Sequence, residues 1–284
     1  MNQHTVTATA PFDLHVHSTC SGDGVSTIAE HARRAADLGL RAVGFCEHAD
    51  FDPRDRSYRT LDPARYDREM DAARILAPTV EFSQGVEITY QASRAEEIRA
   101  WLDERSWDYV VASVHLVDYF DGWAMVSEPR AVHDYYAAHT QRESYRPYFE
   151  ELWRAARSGL GDVLGHFDLV KRYGAAHYGA FEPTDLEQEI RTVLRAAAQA
   201  GMALEINTSG LRQAPAETYP GLQVLRWFRQ EGGRLATIGS DAHQATDLAA
   251  GTGHALELAR AAGLAVVTSF HHRQVRGCVE PNNL

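Results

Sequence analysis

The sequence predicts an α/β fold with a mostly parallel sheet, and three observations support that prediction. Short apolar runs alternate with longer amphipathic stretches over the whole chain of 284 residues. The runs are continuously apolar, as is typical of strands that helices cover on both faces. No segment rich in proline, glycine and serine interrupts the alternation, so we expect one domain spanning residues 1–284. Seven or eight strand–helix units fit a barrel better than an open sheet, which stays the alternative.

The predicted strands and helices follow one another in regular order. The strands cover Phe12–His17, Ala42–Cys46, Val80–Ile88, Tyr109–Val114, Val163–His166, Ala203–Ile206, Leu235–Ser240 and Ala265–Ser269. The helices cover Ile28–Leu38, Pro63–Leu76, Arg94–Glu104, a long stretch near Val132–Ser158, Asp185–Ala200 and Leu222–Gln230. Capping boxes, Ser93 with Glu96 and Thr184 with Glu187, support two of the helix starts. Pro147 predicts a break or kink inside the long stretch.

The composition excludes several classes of protein. The 28 basic residues against 39 acidic ones leave a net charge of −11, which disfavours a protein that grips a nucleic-acid backbone. Three widely spaced cysteines indicate neither a disulfide framework nor a thiolate metal site. The first residues lack a signal-peptide pattern, and no apolar run is long enough to span a membrane. We therefore expect a cytoplasmic protein with no membrane partner. The sequence does not determine its oligomeric state.

Histidines and carboxylates cluster at or just after the carboxyl ends of the predicted strands. They are His15, His17, Asp23, His48, Glu87, His115, His166, Asp241 and His243. His15 and His17 alternate along a strand, so both imidazoles lie on one face. In a parallel barrel all these ends meet on one side, where such folds build their sites. Imidazoles mixed with carboxylates suit Zn, Mn or Fe, and nine ligands exceed the four of one tetrahedral ion. The pattern predicts two or three divalent transition-metal ions with a shared carboxylate.

A structural reading competes with the metal reading for each histidine taken alone, because a histidine at a strand end is commonly a hydrogen-bonded structural residue. The joint placement of the whole set favours metal binding. The histidines in helices and loops, such as His31 and His254, are interpreted as structural or surface residues. No G-x-S-x-G elbow or Walker-type glycine loop is present, which disfavours a serine hydrolase or a kinase.

The motifs that carry these residues resemble those of the polymerase-and-histidinol-phosphatase (PHP) family of metallo-phosphoesterases. The motifs are Asp13–Ser18, Glu47–His48, Gly85–Ile88, Ser113–His115, Gly165–Asp168 and Gly239–His243. They follow the family's order from Phe12 to about Leu264, and Glu205–Arg212 resembles the histidinol-phosphatase branch. The resemblance implies a distorted TIM-like barrel of seven β/α units, with loop insertions near residues 117–130 and 171–183. It places a metal site at the carboxyl ends of the strands.

The resemblance also implies how the ligands divide among three metals. His15, His17, Glu87 and Asp241 would hold the first metal. Glu87 would bridge to a second metal held by His115 and His166. Asp23, His48 and His243 would hold the third. Members of the histidinol-phosphatase branch often carry histidine where this chain has Asp23.

Phosphate-ester hydrolysis needs positive charge besides the metals, and arginine matches phosphate oxygens. Arg172 and Arg212 lie in loops that follow predicted strands, and the resemblance supports both as phosphate clamps, with Lys171 as the alternative to Arg172. Asp168 is a candidate to orient a metal-binding histidine.

The predicted function is hydrolysis of the small-molecule phosphate ester L-histidinol phosphate by metal-activated hydroxide, as a step of histidine biosynthesis. The nearest alternative is the same chemistry on another small phosphate, such as a nucleotide mono- or bisphosphate. Exonuclease activity lacks an obvious basic groove. A barrel that binds metals without catalysis is disfavoured because a degenerate copy would have lost ligands.

Overall fold

A computed structural model describes residues 11–119 and 122–283, so Phe120 and Asp121 of one predicted insertion lie outside the described residues. The strands are β1 (Phe12–Val16), β2 (Ala42–Ala49), β3 (Glu81–Thr89), β4 (Val110–Ser113), β5 (Leu116–Tyr119), β6 (Gly122–Met125), β7 (Val163–Leu164), β8 (Ala203–Asn207), β9 (Leu235–Gly239), β10 (Ala265–His271) and β11 (Gln274–Val279). The helices are α1 (Ile28–Asp37), α2 (Pro63–Leu76), α3 (Ala95–Asp103), α4 (Pro129–Ala138), α5 (Gln141–Arg157), α6 (Lys171–Tyr178), α7 (Glu187–Gln199), α8 (Leu222–Gln230) and α9 (Thr252–Ala262).

The main sheet has the strand order β1-β2-β3-β4-β7-β8-β9-β10-β11. Every neighbouring pair is parallel except β10 with β11. At the carboxyl end, the His17 amide donates to the Ala242 carbonyl at 2.9 Å, and the Asp241 amide donates to the His15 carbonyl at 2.8 Å. These bonds join β1 to the segment after β9, so the sheet curves back towards its first strand. The predicted α/β class is confirmed.

Large side chains fill the space enclosed by the curved sheet. Tyr109 is fully buried, stacks on Phe270 of β10 at 5.2 Å between ring centroids, and donates to the Leu14 carbonyl at 2.9 Å. A Cβ at Gly85 would lie 2.5 Å from the Tyr109 ring, so the glycine leaves the space that this ring needs. Hydrogen bonds and packing across the interior therefore support the strand ends above it.

The connections differ from the expectations more than the strands do. Strands β5 and β6 pair antiparallel in the region of the insertion predicted near 117–130, and the stretch predicted as an insertion near 171–183 contains α6. The long helical stretch is two helices, and the chain breaks at His139–Thr140, whereas α5 runs through Pro147. The helix does not break at Pro147, because Thr140 and Glu143 begin the new helix with a capping box upstream of it. β11 and α9 were not predicted, and the single domain stays a prediction.

The two predicted capping boxes were also wrong. Ser93 and Thr184 each lie in a 3₁₀ turn that precedes the helix, and neither α3 nor α7 has a side-chain cap. Capping boxes occur instead at Thr27 with Glu30 and at Thr140 with Glu143. Among the helices in the described part of the chain, none is both long and apolar enough to cross a membrane.

Candidate metal centre

The structure brings all nine predicted ligands to one end of the sheet. His15, His48 and Glu87 lie on β1, β2 and β3, and the other six lie just beyond a strand or in the loop that follows it. Seven of the nine border a cavity of about 650 Å³, and His15 and His17 lie fully buried beneath them. The sheet's curvature produces this arrangement, because parallel strands present their carboxyl ends at the same edge.

Glu87 lies at the centre of the cluster and points its two oxygens at different histidines. Its Oε2 is 3.5 Å from Nε2 of His15 and 3.4 Å from Nε2 of His17. Its Oε1 is 2.8 Å from Nε2 of His166 and 3.4 Å from Nε2 of His115. One carboxylate thus contacts two groups of imidazoles, which is the geometry that a bridging ligand needs.

The spacing of the first group matches ligands around one ion. Nε2 of His15 lies 3.0 Å from Nε2 of His17, and Oδ1 of Asp241 is 3.9 Å and 3.6 Å from these two nitrogens. Ligand atoms about 2.0–2.1 Å from a tetrahedral ion are about 3.3 Å apart. With Glu87 this group offers four donors, so the residues fit a tetrahedral ion.

Two further groups have similar spacing. In the second, Nε2 of His115 and Nε2 of His166 are 3.1 Å apart, next to Oε1 of Glu87. In the third, Asp23 lies between two imidazoles, 3.6 Å from Nε2 of His48 and 3.2 Å from Nε2 of His243. The donors are nitrogen and oxygen throughout, which suits Zn, Mn or Fe.

Partners on the far side of the rings orient four of the six imidazoles. The Nδ1 contacts are His15 with Glu205 at 2.5 Å, His17 with Ser21 at 3.2 Å, His115 with Thr89 at 2.7 Å and His243 with the Asp241 carbonyl at 3.0 Å. A histidine that binds a metal through one nitrogen usually donates the other to such a partner. The sequence analysis missed Glu205, Ser21 and Thr89 in this role, and Glu205 lay within a quoted motif.

A buried glutamate holds the loop after β1 in place. Glu47 accepts hydrogen bonds from the Ser18 amide at 3.0 Å, the Ser18 hydroxyl at 2.5 Å and the Ser21 hydroxyl at 2.5 Å. Ser21 in turn contacts His17, so this network links the loop to the cluster. The sequence does not show that Glu47 holds the loop while the adjacent His48 faces the cluster.

The carboxylates make the centre attractive to cations. Burial acts to raise the pKa of Glu87, but His115 and His15 beside it outweigh burial, and the pKa lies well below its usual range. The pKa of Asp241 is likewise low, since His15 and His243 outweigh its burial. Burial and the neighbouring His48 lower the pKa of His17 to about 3. His17 is therefore a neutral imidazole beside ionised carboxylates, which is the form in which these two kinds of group bind a metal.

The two predicted arginines line the same cavity. A terminal nitrogen of Arg212 donates to the Ser240 carbonyl at 2.8 Å, and Arg172 lies over the Tyr173 ring. Lys171, the alternative to Arg172, is buried and bonded to Asp168 at 2.9 Å and Glu217 at 2.7 Å. Its ammonium group is therefore engaged away from the cavity.

Asp168 does not orient a histidine as expected, because its Oδ2 accepts from Lys171 and its Oδ1 has no hydrogen-bond partner among the described residues. Two further side chains that the prediction left out have possible ligand atoms within 4.8 Å of those of the cluster. The Cys46 thiol lies near His15 and His17, and burial raises its pKa to about 12. Asp50 lies near His48 and His115.

Comparisons with known proteins extend these observations. Residues 13–209 match the family described as PHP domain. A probable histidinol-phosphatase of Deinococcus radiodurans is 31% identical over 272 residues, which are 93% of this chain and 98% of that protein. A histidinol-phosphatase of Lactococcus lactis is 26% identical over 81% of this chain and 83% of that protein.

A solved structure is also similar. It is the crystal structure of histidinol phosphate phosphatase from Lactococcus lactis complexed with zinc, L-histidinol and phosphate, at 26% identity and a TM-score of 0.83. The match covers 94% of this chain and 98% of the other. A putative histidinol phosphatase from Listeria monocytogenes, at 19% identity and a TM-score of 0.73, shares the fold over 86% of this chain and 99% of its own.

Proposed function

The chain belongs to the PHP domain family, and from that premise we propose that it hydrolyses L-histidinol phosphate to L-histidinol and phosphate. The observation that carries the proposal is the cluster around Glu87, whose two oxygens contact two groups of imidazoles. The Lactococcus lactis protein, which binds zinc, L-histidinol and phosphate, supports the substrate. A step of histidine biosynthesis follows from that substrate.

The proposed metals are three divalent ions, with zinc first among zinc, iron and manganese. The first would be held by His15, His17, Glu87 and Asp241, the second by Glu87, His115 and His166, and the third by Asp23, His48 and His243. The contact distances given above support each group. Bound ions would supply Lewis acidity and lower the pKa of water from about 15.7 towards about 7.

The chain's own residues would place the substrate against this centre. Arg172 and Arg212 line the cavity, and we assign them to the phosphate oxygens, which arginine can hold with two parallel hydrogen bonds. Glu205, Ser21 and Thr89 keep three imidazole rings aimed at the centre. The partner is thus a small phosphate ester, which fits a cavity of about 650 Å³.

A panel of phosphomonoesters tests the substrate. The purified protein is reconstituted with zinc, iron or manganese, its metal content is measured, and kcat/KM is compared for L-histidinol phosphate, nucleotide mono- and bisphosphates and p-nitrophenyl phosphate, with single-stranded DNA as a further arm. We expect L-histidinol phosphate to be preferred by at least about 100-fold. A preferred nucleotide, or DNA digestion, would reverse the assignment.

The same preparation tests the role of Glu87. Glu87→Gln should lower the bound metal content and reduce kcat by at least about 1,000-fold, because the bridging charge is lost. Glu81→Gln, on the exposed first residue of the same strand, is the control and should retain metal and activity. Full activity in Glu87→Gln would be incompatible with the proposed centre.

A further inference from the structure

Asp50 is a buried carboxylate at the wall of the cavity, and the proposed function gives it no role. It directly follows β2 and is only 2% exposed. Neither of its oxygens has a hydrogen-bond partner of good geometry among the described residues. The Thr89 hydroxyl lies near Asp50, but its 2.7 Å contact is with Nδ1 of His115. A buried carboxylate without partners is costly, so its retention needs a counterpart.

The positively charged side chains of the same loop do not supply that counterpart. Arg54 bonds Asp52 at 2.8 Å and Asp118 at 2.7 Å. Arg56 is 3.2 Å from Asp23 and also approaches Glu128. Arg59 is 2.6 Å from Glu97. The three proposed ions already have ligands of their own. The positive charge opposite Asp50 must therefore come from the molecule that enters the cavity.

We propose that Asp50 binds the ammonium group of the substrate, an inference that rests on the proposed function. In L-histidinol phosphate, two carbon atoms separate the amine nitrogen from the ester oxygen. When phosphate lies on the metal centre, the ammonium group therefore lies close to that centre. The Asp50 carboxylate lies there, with an oxygen within 4.8 Å of the ring nitrogens that His48 and His115 offer.

The position of Asp50 in the sheet also agrees with this role. Arg172 and Arg212 follow β7 and β8, whereas Asp50 follows β2, and β3 and β4 lie between them in the sheet order. The anionic and cationic ends of the substrate thus meet opposite charges on different sides of the cavity mouth. A simple phosphate monoester without an amine would use only the arginine side.

The test compares two substrates that differ in the amine alone, L-histidinol phosphate and 3-(imidazol-4-yl)propyl phosphate, on zinc-loaded protein. Asp50→Asn should raise KM for L-histidinol phosphate about 10- to 100-fold, with kcat changed less than about threefold. Its kcat/KM for the amine-free compound and its zinc content should match the wild type. Asp50→Glu keeps the charge and should retain part of the preference.

The matched control is Asp55→Asn, in the same loop, whose carboxylate already accepts from the Ser57 amide at 2.8 Å. This variant should keep kcat/KM for both substrates within about twofold of the wild type. An equal loss of kcat/KM on both substrates, or a loss of zinc in Asp50→Asn, would mean that Asp50 positions His48 and His115 and would overturn the proposal. Unchanged kcat/KM on both substrates would overturn it as well. If the wild type prefers another phosphate while Asp50→Asn still loses activity only on the amine-bearing compound, the assigned substrate fails and the ammonium site stands.

Discussion

At the scale of single residues, the buried histidines differ in what faces their ring nitrogens. Those of the cluster contact carboxylates, hydroxyls or other imidazoles within hydrogen-bond or ion-pair distance. His31 of α1 is fully buried against the edge of Phe45, and neither of its nitrogens has a partner of good geometry among the described residues. Burial lowers the pKa of His31 to about 4. This histidine is held neutral by its surroundings.

The free energy of unfolding should therefore depend on pH through His31. Its pKa is about 4 in the folded chain against 6.5 ordinarily, so between these values the unfolded chain binds more protons and stability falls as pH falls. From pH 7 to pH 5 this costs about 2 kcal/mol. In urea unfolding with chelator present, the drop in unfolding free energy from pH 7 to pH 5 should be smaller in His31→Leu than in the wild type by about this amount. Parallel pH dependence in the two proteins would contradict the assignment.

The sequence placed the nine side chains at strand ends, but it did not predict the contacts between them. Placement at strand ends predicted that the nine side chains would meet, because strand direction is a local property. Which oxygen of Glu87 faces which ring depends on the distance between β3 and its neighbours. The sequence predicted no role for Glu205 beyond its place in the Glu205–Arg212 segment, since nothing in the sequence shows that it reaches His15 across the sheet.

At the scale of elements, the apolar strands and amphipathic helices were predicted well. The bounds of α2 and α8 coincide with the prediction, and all eight predicted strands exist. Helix starts were predicted poorly. The S/T-x-x-E pattern occurs at Ser93 and Thr184, where a preceding 3₁₀ turn moves the first residue of the helix, and also at Thr140, where the cap forms. Pattern alone cannot separate these cases.

A pair of threonine variants tests this difference. Thr140→Ala should destabilise the protein by about 1 kcal/mol, because the exposed amide of Glu143 loses its side-chain acceptor. Thr184→Ala has the same sequence pattern and exposure without a cap, and should stay within about 0.5 kcal/mol of the wild type. Urea unfolding with chelator present measures both. Equal losses in the two variants would show that the caps do not differ.

At the scale of the whole molecule, the interior of the curved sheet depends on one large ring and the glycines beside it. Gly85→Ala places a methyl group 2.5 Å from the Tyr109 ring, in a region where the neighbouring side chains are buried. Such overpacking costs about 1–3 kcal/mol. We expect this loss in urea unfolding, accompanied by weaker zinc binding because β3 also carries Glu87.

The control for this prediction is Gly122→Ala on β6, where an added Cβ would meet no atom of the described residues within 4 Å. It should unfold at nearly the wild-type urea concentration. If Gly85→Ala were as stable as Gly122→Ala, the sheet would have to yield around Tyr109 without cost, contrary to the close packing of the interior.

The sequence by itself determined the α/β class and the positions where the cluster forms, because apolar runs and their polar ends are local features of the chain. Tertiary structure decided the rest. It joined β1 to the segment after β9, engaged Lys171 with Asp168 and Glu217, and left Asp50 buried at the cavity wall with no hydrogen-bond partner of good geometry in the described part of the chain. These outcomes depend on distances between residues far apart in the chain, and such distances exist only after the sheet has curved and its loops have packed.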